Sequence, residues 1–185
     1  DCRRRKKCCL KKQDWLKIHS CVGNLTNVVT AVELTEKYEH DSPQFKPLVE
    51  QTANNFTMDE VSADAAYLSK DNFQVAINAG AYPYICWKSN SRETDKPNNE
   101  LWNKLFHWYS LNKEKFLEHY HQRSNSETCF SMIKAKFSAT IRAKNRTAQK
   151  NEALCKILCH NICCLIQSMY EFNIKPEFWK EIELH

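Results

Sequence analysis

Glu60-Val61-Ser62-Ala63-Asp64-Ala65-Ala66 is a short apolar strand pattern, Lys70 to Asn78 carries helical periodicity closed by Gly80, and Tyr82 to Lys88 returns to strand. Strand, helix, strand is the unit from which sheets with flanking helices are built. Upstream, Trp15 to Val22 and Val28 to Leu34 are rich in β-branched residues. They are joined by Gly23-Asn24-Leu25-Thr26, a loop of hairpin length. Asp41-Ser42-Pro43 then offers a helix start, and Phe45, Leu48, Val49 and Thr52 follow at helical spacing. Downstream, a polar Ser, Asn, Asp, Lys and Pro stretch runs to Asn99. From Glu100 to about Phe172 there is neither Gly nor Pro, which predicts a helical second half. The expected class is α/β, a mixed sheet flanked by helices.

Composition narrows the function. The 185 residues are 42% hydrophobic and 26% charged, as in a globular domain. No uninterrupted apolar run exceeds Ile162 to Ile166, so no membrane span is expected. The N-terminus does not read as a secretory signal, and an opening on Asp1 suggests a fragment. Only 2 glycines occur, Gly23 and Gly80, and no phosphate-cradling Gly-rich loop can be written with them. Nucleotide-cofactor enzymes of those classes are excluded.

The 10 cysteines lack paired CxxC knuckles. Cys155, Cys159 and Cys163 recur every four residues on one helical face and read as small buried hydrophobes in a reducing cytoplasm. Zinc is the alternative, through Cys2, Cys8, Cys9 and Cys21 near His19, or through Cys155, Cys159, His160 and Cys163. The net charge of +5 is concentrated in two zones. Residues 1–12 hold seven basic side chains against Asp1; residues 134–150 hold Lys134, Lys136, Arg142, Lys144, Arg146 and Lys150 with no acid. Clustered positive charge on an otherwise acidic chain suits a polyanion, with Arg142, Lys144, Arg146 and Lys150 placed to track a DNA backbone.

Tyr120, Arg123, Glu127 and Lys134 are offset by three, four and seven residues. On one continuous helix they would fall within roughly 60° of one another. An acid flanked by two bases can ligate a cation while the bases hold phosphate oxygens; an i,i+4 ion pair on a wet helix face is the alternative. Asp64 ends its strand where open sheets place their sites, with a helix cap for the segment after Ser69 as the alternative. Asp64 and Glu127 could share Mg²⁺ or Mn²⁺, which takes one or two carboxylates besides phosphate oxygens and water. Trp87, Trp102 and Trp108 are candidates for stacking on an extruded base, with a core role as the alternative. His119 and His121 are candidates for phosphate contact.

The motif Asp64-x-Ala66-Tyr67, followed by Tyr120-x2-Arg123-x3-Glu127-x6-Lys134, resembles the second and third catalytic regions of prokaryotic insertion-sequence transposases of the DDE type, the Y-R-E-K signature group. The likeness covers nearly the whole chain. It implies a ribonuclease-H-like fold, with segment 1–14 a basic lead, 15–172 the partial catalytic domain and 173–185 a tail. It implies cutting and joining of double-stranded DNA at transposon ends, in the cytoplasm at the nucleoid and with a homo-oligomer possible. Asp64 and Glu127 match the second and third metal ligands; Arg123 and Lys134 match phosphate-contacting residues, and Tyr120 a DNA-positioning one. The family's first Asp sits on a strand preceding the hairpin and lying between it and the Asp64 strand. Here only Asp1 and Asp14 are available, so this chain alone is expected not to cut DNA and to show a gap or exposed edge in its sheet. A noncatalytic DNA-binding remnant and a zinc- or partner-binding helical scaffold are the competing readings.

Overall fold

The computed structural model describes residues 15–94, 99–171, 173 and 175. The basic lead and nearly all of the tail fall outside these, as do Cys2, Cys8 and Cys9 of the first zinc alternative. The hairpin forms as expected. β1 (Leu16–Val22) pairs antiparallel with β2 (Val29–Glu36), with Ser20 opposite Val32 and a register shift at Cys21/Val22. Its turn is closed by Gly23, which accepts from the Asn27 N–H and donates to the Val28 carbonyl, both at 2.9 Å. Asn27 takes the left-handed conformation (φ 56°), which Asn tolerates better than most residues.

A short 3₁₀ turn, Ser42–Gln44, leads into α1 (Phe45–Ala53), whose buried Phe45, Leu48, Val49 and Thr52 are the expected apolar face. Asp41 does not cap this turn; it pairs with Lys17 of β1 at 2.5 Å. β3 (Glu60–Ala63) is followed by a 3₁₀ turn (Ala65–Tyr67), α2 (Lys70–Asn78) and β4 (Tyr82–Ile85), which runs parallel to β3. Both strands stop short of their expected ends at Ala66 and Lys88, because Asp64 turns the chain and only four residues find partners. Ser69 caps α2 by accepting from the Asn72 N–H at 3.1 Å, and Gly80 (φ 81°) ends it.

The helical half is interrupted. α3 (Glu100–Leu111) and α4 (Lys113–Tyr120) are followed by a 3₁₀ turn (His121–Arg123), α5 (Ser124–Phe137) and α6 (Arg146–Glu171). Residues 138–145 are not helical, although they hold neither Gly nor Pro. Their backbone is drawn elsewhere: the Glu152 carboxylate accepts from the Arg142 and Ala143 N–H groups at 2.9 Å each, and Asn145 Oδ1 accepts from the Ala148 N–H at 2.8 Å.

Two cores result. Phe73, Tyr84, Ile85, Trp87, Leu105 and Phe116 anchor an aromatic one. Trp87 lies in this core, with Trp102 and Trp108 packed against it, which is the core alternative for the three tryptophans. Val29, Cys129, Ile133 and Ile157 form the second, between the hairpin, α5 and α6. The described strands make two separate two-stranded sheets, β1-β2 and β3-β4, and no continuous sheet. The one mixed sheet expected is therefore not seen among the described residues; two unjoined ribbons stand in its place. α6, with 26 residues and a mean hydropathy of 1.2 over its most apolar window, is long and apolar enough to cross a bilayer. The count of uninterrupted apolar residues missed this because His160 and Asn161 divide the run. One face of it, carrying Ala153, Ile157, His160 and Cys164, is buried against the domain, while most of that window is exposed.

Candidate active site

The two ribbons border a cleft of about 650 Å³. Ile18, Ser20 and Val22 of β1 form one wall, and Val61, Ala63 and Asp64 the other. Phe45, Leu48 and Val49 of α1 contribute apolar surface, and Gln122, Arg123 and Ser126 also line it. The Ser20 hydroxyl is buried without a hydrogen-bond partner. At the base, the buried His19 ring bonds the Tyr67 hydroxyl through Nδ1 at 3.0 Å and the Thr35 hydroxyl through Nε2 at 2.9 Å. Burial holds His19 below its ordinary pKa against the pull of Asp41. Burial likewise pushes the Tyr67 phenol up to about 12, with Asp41 and Asp64 adding to the effect.

The turn carrying Arg123 is fastened to both ribbons. From the hairpin, Asn24 Nδ2 donates to Gln122 Oε1 at 2.5 Å, and Asn125 Nδ2 donates to the Asn24 carbonyl at 3.1 Å. From β3, the Ser62 hydroxyl donates to the His119 carbonyl at 3.1 Å, and Glu60 meets His119 Nδ1 at 2.8 Å. His119 also stacks on Tyr84, with ring centroids 4.5 Å apart, so its ring is already engaged; His121 is exposed.

Asp64 follows the last residue of β3, and its Oδ1 accepts from the Ala65 N–H at 2.5 Å. Arg123 donates to Glu127 Oε1 at 2.9 Å and stands 5.5 Å over the Tyr120 ring. Burial works against the charge of Arg123, yet Tyr120, Asp64 and Glu127 together hold the guanidinium more firmly protonated than usual. The two acids, 63 positions apart in sequence, therefore act on one guanidinium. Burial raises the Tyr120 phenol, with Cys86 adding to the rise and Arg123 opposing it.

The predicted stripe does not lie on one helix: Tyr120 ends α4, Arg123 ends the 3₁₀ turn, and Glu127 and Lys134 belong to α5. Glu127 and Lys134, two turns apart on α5, share a face, and both are exposed. Of the basic residues beyond α5, Arg142 and Lys144 are exposed and Lys150 half-buried. Arg146 is forked onto Glu36 of β2, through Nε to Oε1 at 2.9 Å and Nη2 to Oε2, and through Nη1 to Gln149.

Among the described residues no group of three His, Cys, Asp or Glu side chains is placed to hold a metal ion. The second zinc alternative fails on geometry. Cys155 and Cys159 are exposed, whereas His160 is fully buried among Cys129 Sγ and Cys164 Sγ, each 3.3 Å from its Nε2, and the Asn27 carbonyl at 3.0 Å. Burial pushes the Cys129 thiol up to about 11, so it stays protonated. Cys21 is free, and the His19 nitrogens are both engaged by hydroxyls.

Sequence reasoning named Asp64, Tyr120, Arg123, Glu127 and Lys134. It missed the His19, Tyr67 and Thr35 network, although Tyr67 stands in the Asp64-x-x-Tyr67 motif and His19 alternates with Lys17 and Cys21 on β1. No curated protein and no solved structure matches the chain. The family model described as transposase DDE domain matches residues 2–162, which takes in both ribbons, the cleft, the Arg123 turn and most of α6. The chain belongs to the transposase DDE-domain family.

Proposed function

We propose that this chain is the greater part of the catalytic domain of an insertion-sequence transposase of the Y-R-E-K group, with double-stranded DNA as substrate. The observation that carries the reading is Arg123, ion-paired with Glu127 at 2.9 Å, lining a cleft that Asp64 also lines. The two carboxylates suit a hard divalent cation, Mg²⁺ or Mn²⁺, as far as a pair of oxygen donors can. When bound, such an ion polarises a phosphodiester and activates water for in-line attack.

The chain's own residues do the rest. Arg123, fixed by Tyr120 beneath it and by Glu127 beside it, presents its remaining donors to a phosphate. Lys134 adds a mobile positive charge two turns further along α5. Arg142, Lys144 and Lys150 extend the basic track, whereas Arg146, its charge balanced by Glu36, holds the start of α6 against β2. With two acids in place of three, metal is held weakly and the chain by itself does not cut DNA.

The test is Mn²⁺ binding followed by electron paramagnetic resonance, paired with DNA binding in the same protein. Weak Mn²⁺ binding that is lost in both Asp64→Asn and Glu127→Gln supports the reading; binding unaffected by either substitution overturns it. A noncatalytic DNA-binding remnant is the second reading. DNA binding with no Mn²⁺ binding at all would select it.

A further inference from the structure

Residues 138–145 join α5 to α6 as neither helix nor strand, and side chains of α6 hold their backbone. The Glu152 carboxylate accepts from the Arg142 and Ala143 N–H groups at 2.9 Å each, and Gln149 Nε2 donates to the Ala143 carbonyl at 3.2 Å. Lys156 Nζ donates to the Thr140 carbonyl at 2.7 Å and to the Ser138 carbonyl at 3.2 Å, where Ser138 takes a left-handed φ of 68°. Glu152 and Lys156 are both half-buried, and they pair with each other at 3.2 Å. Bonds from the Ala143 and Arg142 N–H groups and from Lys156 hold the Glu152 carboxyl below its usual range, against the opposing pull of desolvation. Burial alternates along the loop: Ile141 and Ala143 are half-buried, whereas Thr140, Arg142 and Lys144 are exposed. That is the pattern of an extended segment, in which alternate side chains share a face. Arg142 and Lys144 therefore project together from a backbone that is already fixed. Neither side chain makes an ion pair among the described residues, and no acid occurs in the sequence between Glu127 and Glu152.

We propose that Glu152 and Lys156 are positioning residues, which preform this loop as a rail presenting Arg142 and Lys144 to neighbouring phosphates of a DNA backbone. This role rests on the DNA reading above, and it makes an acid strengthen the grip on a polyanion. Net charge alone gives the opposite sign, since deleting a carboxylate from a basic surface favours phosphate. Preorganisation decides between them. A loop that had to be ordered on the DNA would lose chain entropy at the moment of contact, and that loss is subtracted from affinity. Glu152 and Lys156 remove it beforehand, and their mutual pairing keeps the carboxylate charge from opposing the phosphates.

Fluorescence anisotropy of a labelled DNA duplex, titrated with the full chain between about 50 and 200 mM salt, tests it. Glu152→Gln should weaken binding roughly fivefold although it removes a negative charge. It should also lower the salt slope by about one to two, as Arg142 and Lys144 lose their phosphates. Arg142→Ala should weaken the parent chain but add little to Glu152→Gln, whereas a merely structural role for Glu152 leaves the two losses additive. Glu152→Asp keeps the charge but is one methylene too short to reach both N–H groups, and it should weaken binding likewise should Glu152→Gln not fold. Binding by either folded variant as tight as that of the parent, or tighter, overturns the proposal and leaves the DNA reading standing. Full additivity with Arg142→Ala overturns it too. A parent chain that binds no duplex overturns it together with the DNA reading.

Discussion

The two ribbons beside the cleft are held by different physics. β3-β4 is a short parallel pair set against stacked aromatic rings: Phe73 is 1% exposed, with Trp87 at 5.2 Å and Trp102 at 5.7 Å between ring centroids. β1-β2 is a longer antiparallel pair on a small aliphatic core, and much of its anchoring is polar. Asn161 of α6 accepts from the Val29 N–H and donates to the Val29 carbonyl, both at 2.8 Å; Arg146 forks Glu36, and Asp41 holds Lys17. Volume secures one side and specific hydrogen bonds the other. The difference teaches that Asp64, after β3, and Glu127, on α5, stand on supports that fail in different ways.

Substitutions can break this contrast. Phe73→Ala should have the largest effect, a loss of about 3–5 kcal/mol in urea unfolding, because a ring is removed from a packed interior. A loss below 1 kcal/mol would mean that the aromatic side is not cooperative. Asn161→Leu should cost about 1–3 kcal/mol, since two backbone groups of Val29 lose their partner. Hydrogen exchange should show it first at the Val29 amide, with the β3-β4 amides unchanged; equal acceleration in both ribbons would refute separate supports.

His19 sharpens the contrast through pH. Its folded-state pKa lies below the ordinary 6.5, so the unfolded chain binds the proton more readily. The stability gained by keeping it neutral is present above 6.5 and is lost as pH falls through that value towards the folded one. His19→Gln should flatten this slope, and a slope unchanged by the substitution would place its origin elsewhere. Glu36→Gln should have the smallest effect at neutral pH. Arg146 holds the Glu36 carboxyl below its usual value of 4.5, so the pair's contribution is present above that value and lost as pH falls through the depressed one. Because the pair is exposed, 1 M salt should erase most of the difference between Glu36→Gln and the parent chain.

Much of the aromatic side was legible in the chain. Ser69 and Gly80 punctuate α2 at both ends, and local signals suffice where caps and a positive φ set the boundary. The hairpin was legible for the same reason. The break at 138–145 was not, because it depends on Glu152 reaching back to backbone groups 9 and 10 residues away. Cysteine periodicity on α6 was visible, but which face turned inward was not. Cys155 and Cys159 are exposed, and Cys164, outside the repeat, is buried beside His160. Around the cleft, spacing pointed to Asp64, Arg123 and Glu127, of which Asp64 and Arg123 line it. The 3₁₀ turn that breaks the presumed continuous helix, and so lets Arg123 meet both ribbons, came only from tertiary ties such as Asn24 to Gln122.

The amide of Asn161 does for Val29 what a neighbouring peptide would do, one acceptor and one donor at matching distances. At that position the outer margin of the hairpin is sealed by a side chain, and a foreign backbone arriving there finds no vacancy. Any polypeptide that extends this ribbon at Val29 must first evict a residue of α6, which makes accidental stacking of such domains through that margin energetically uphill.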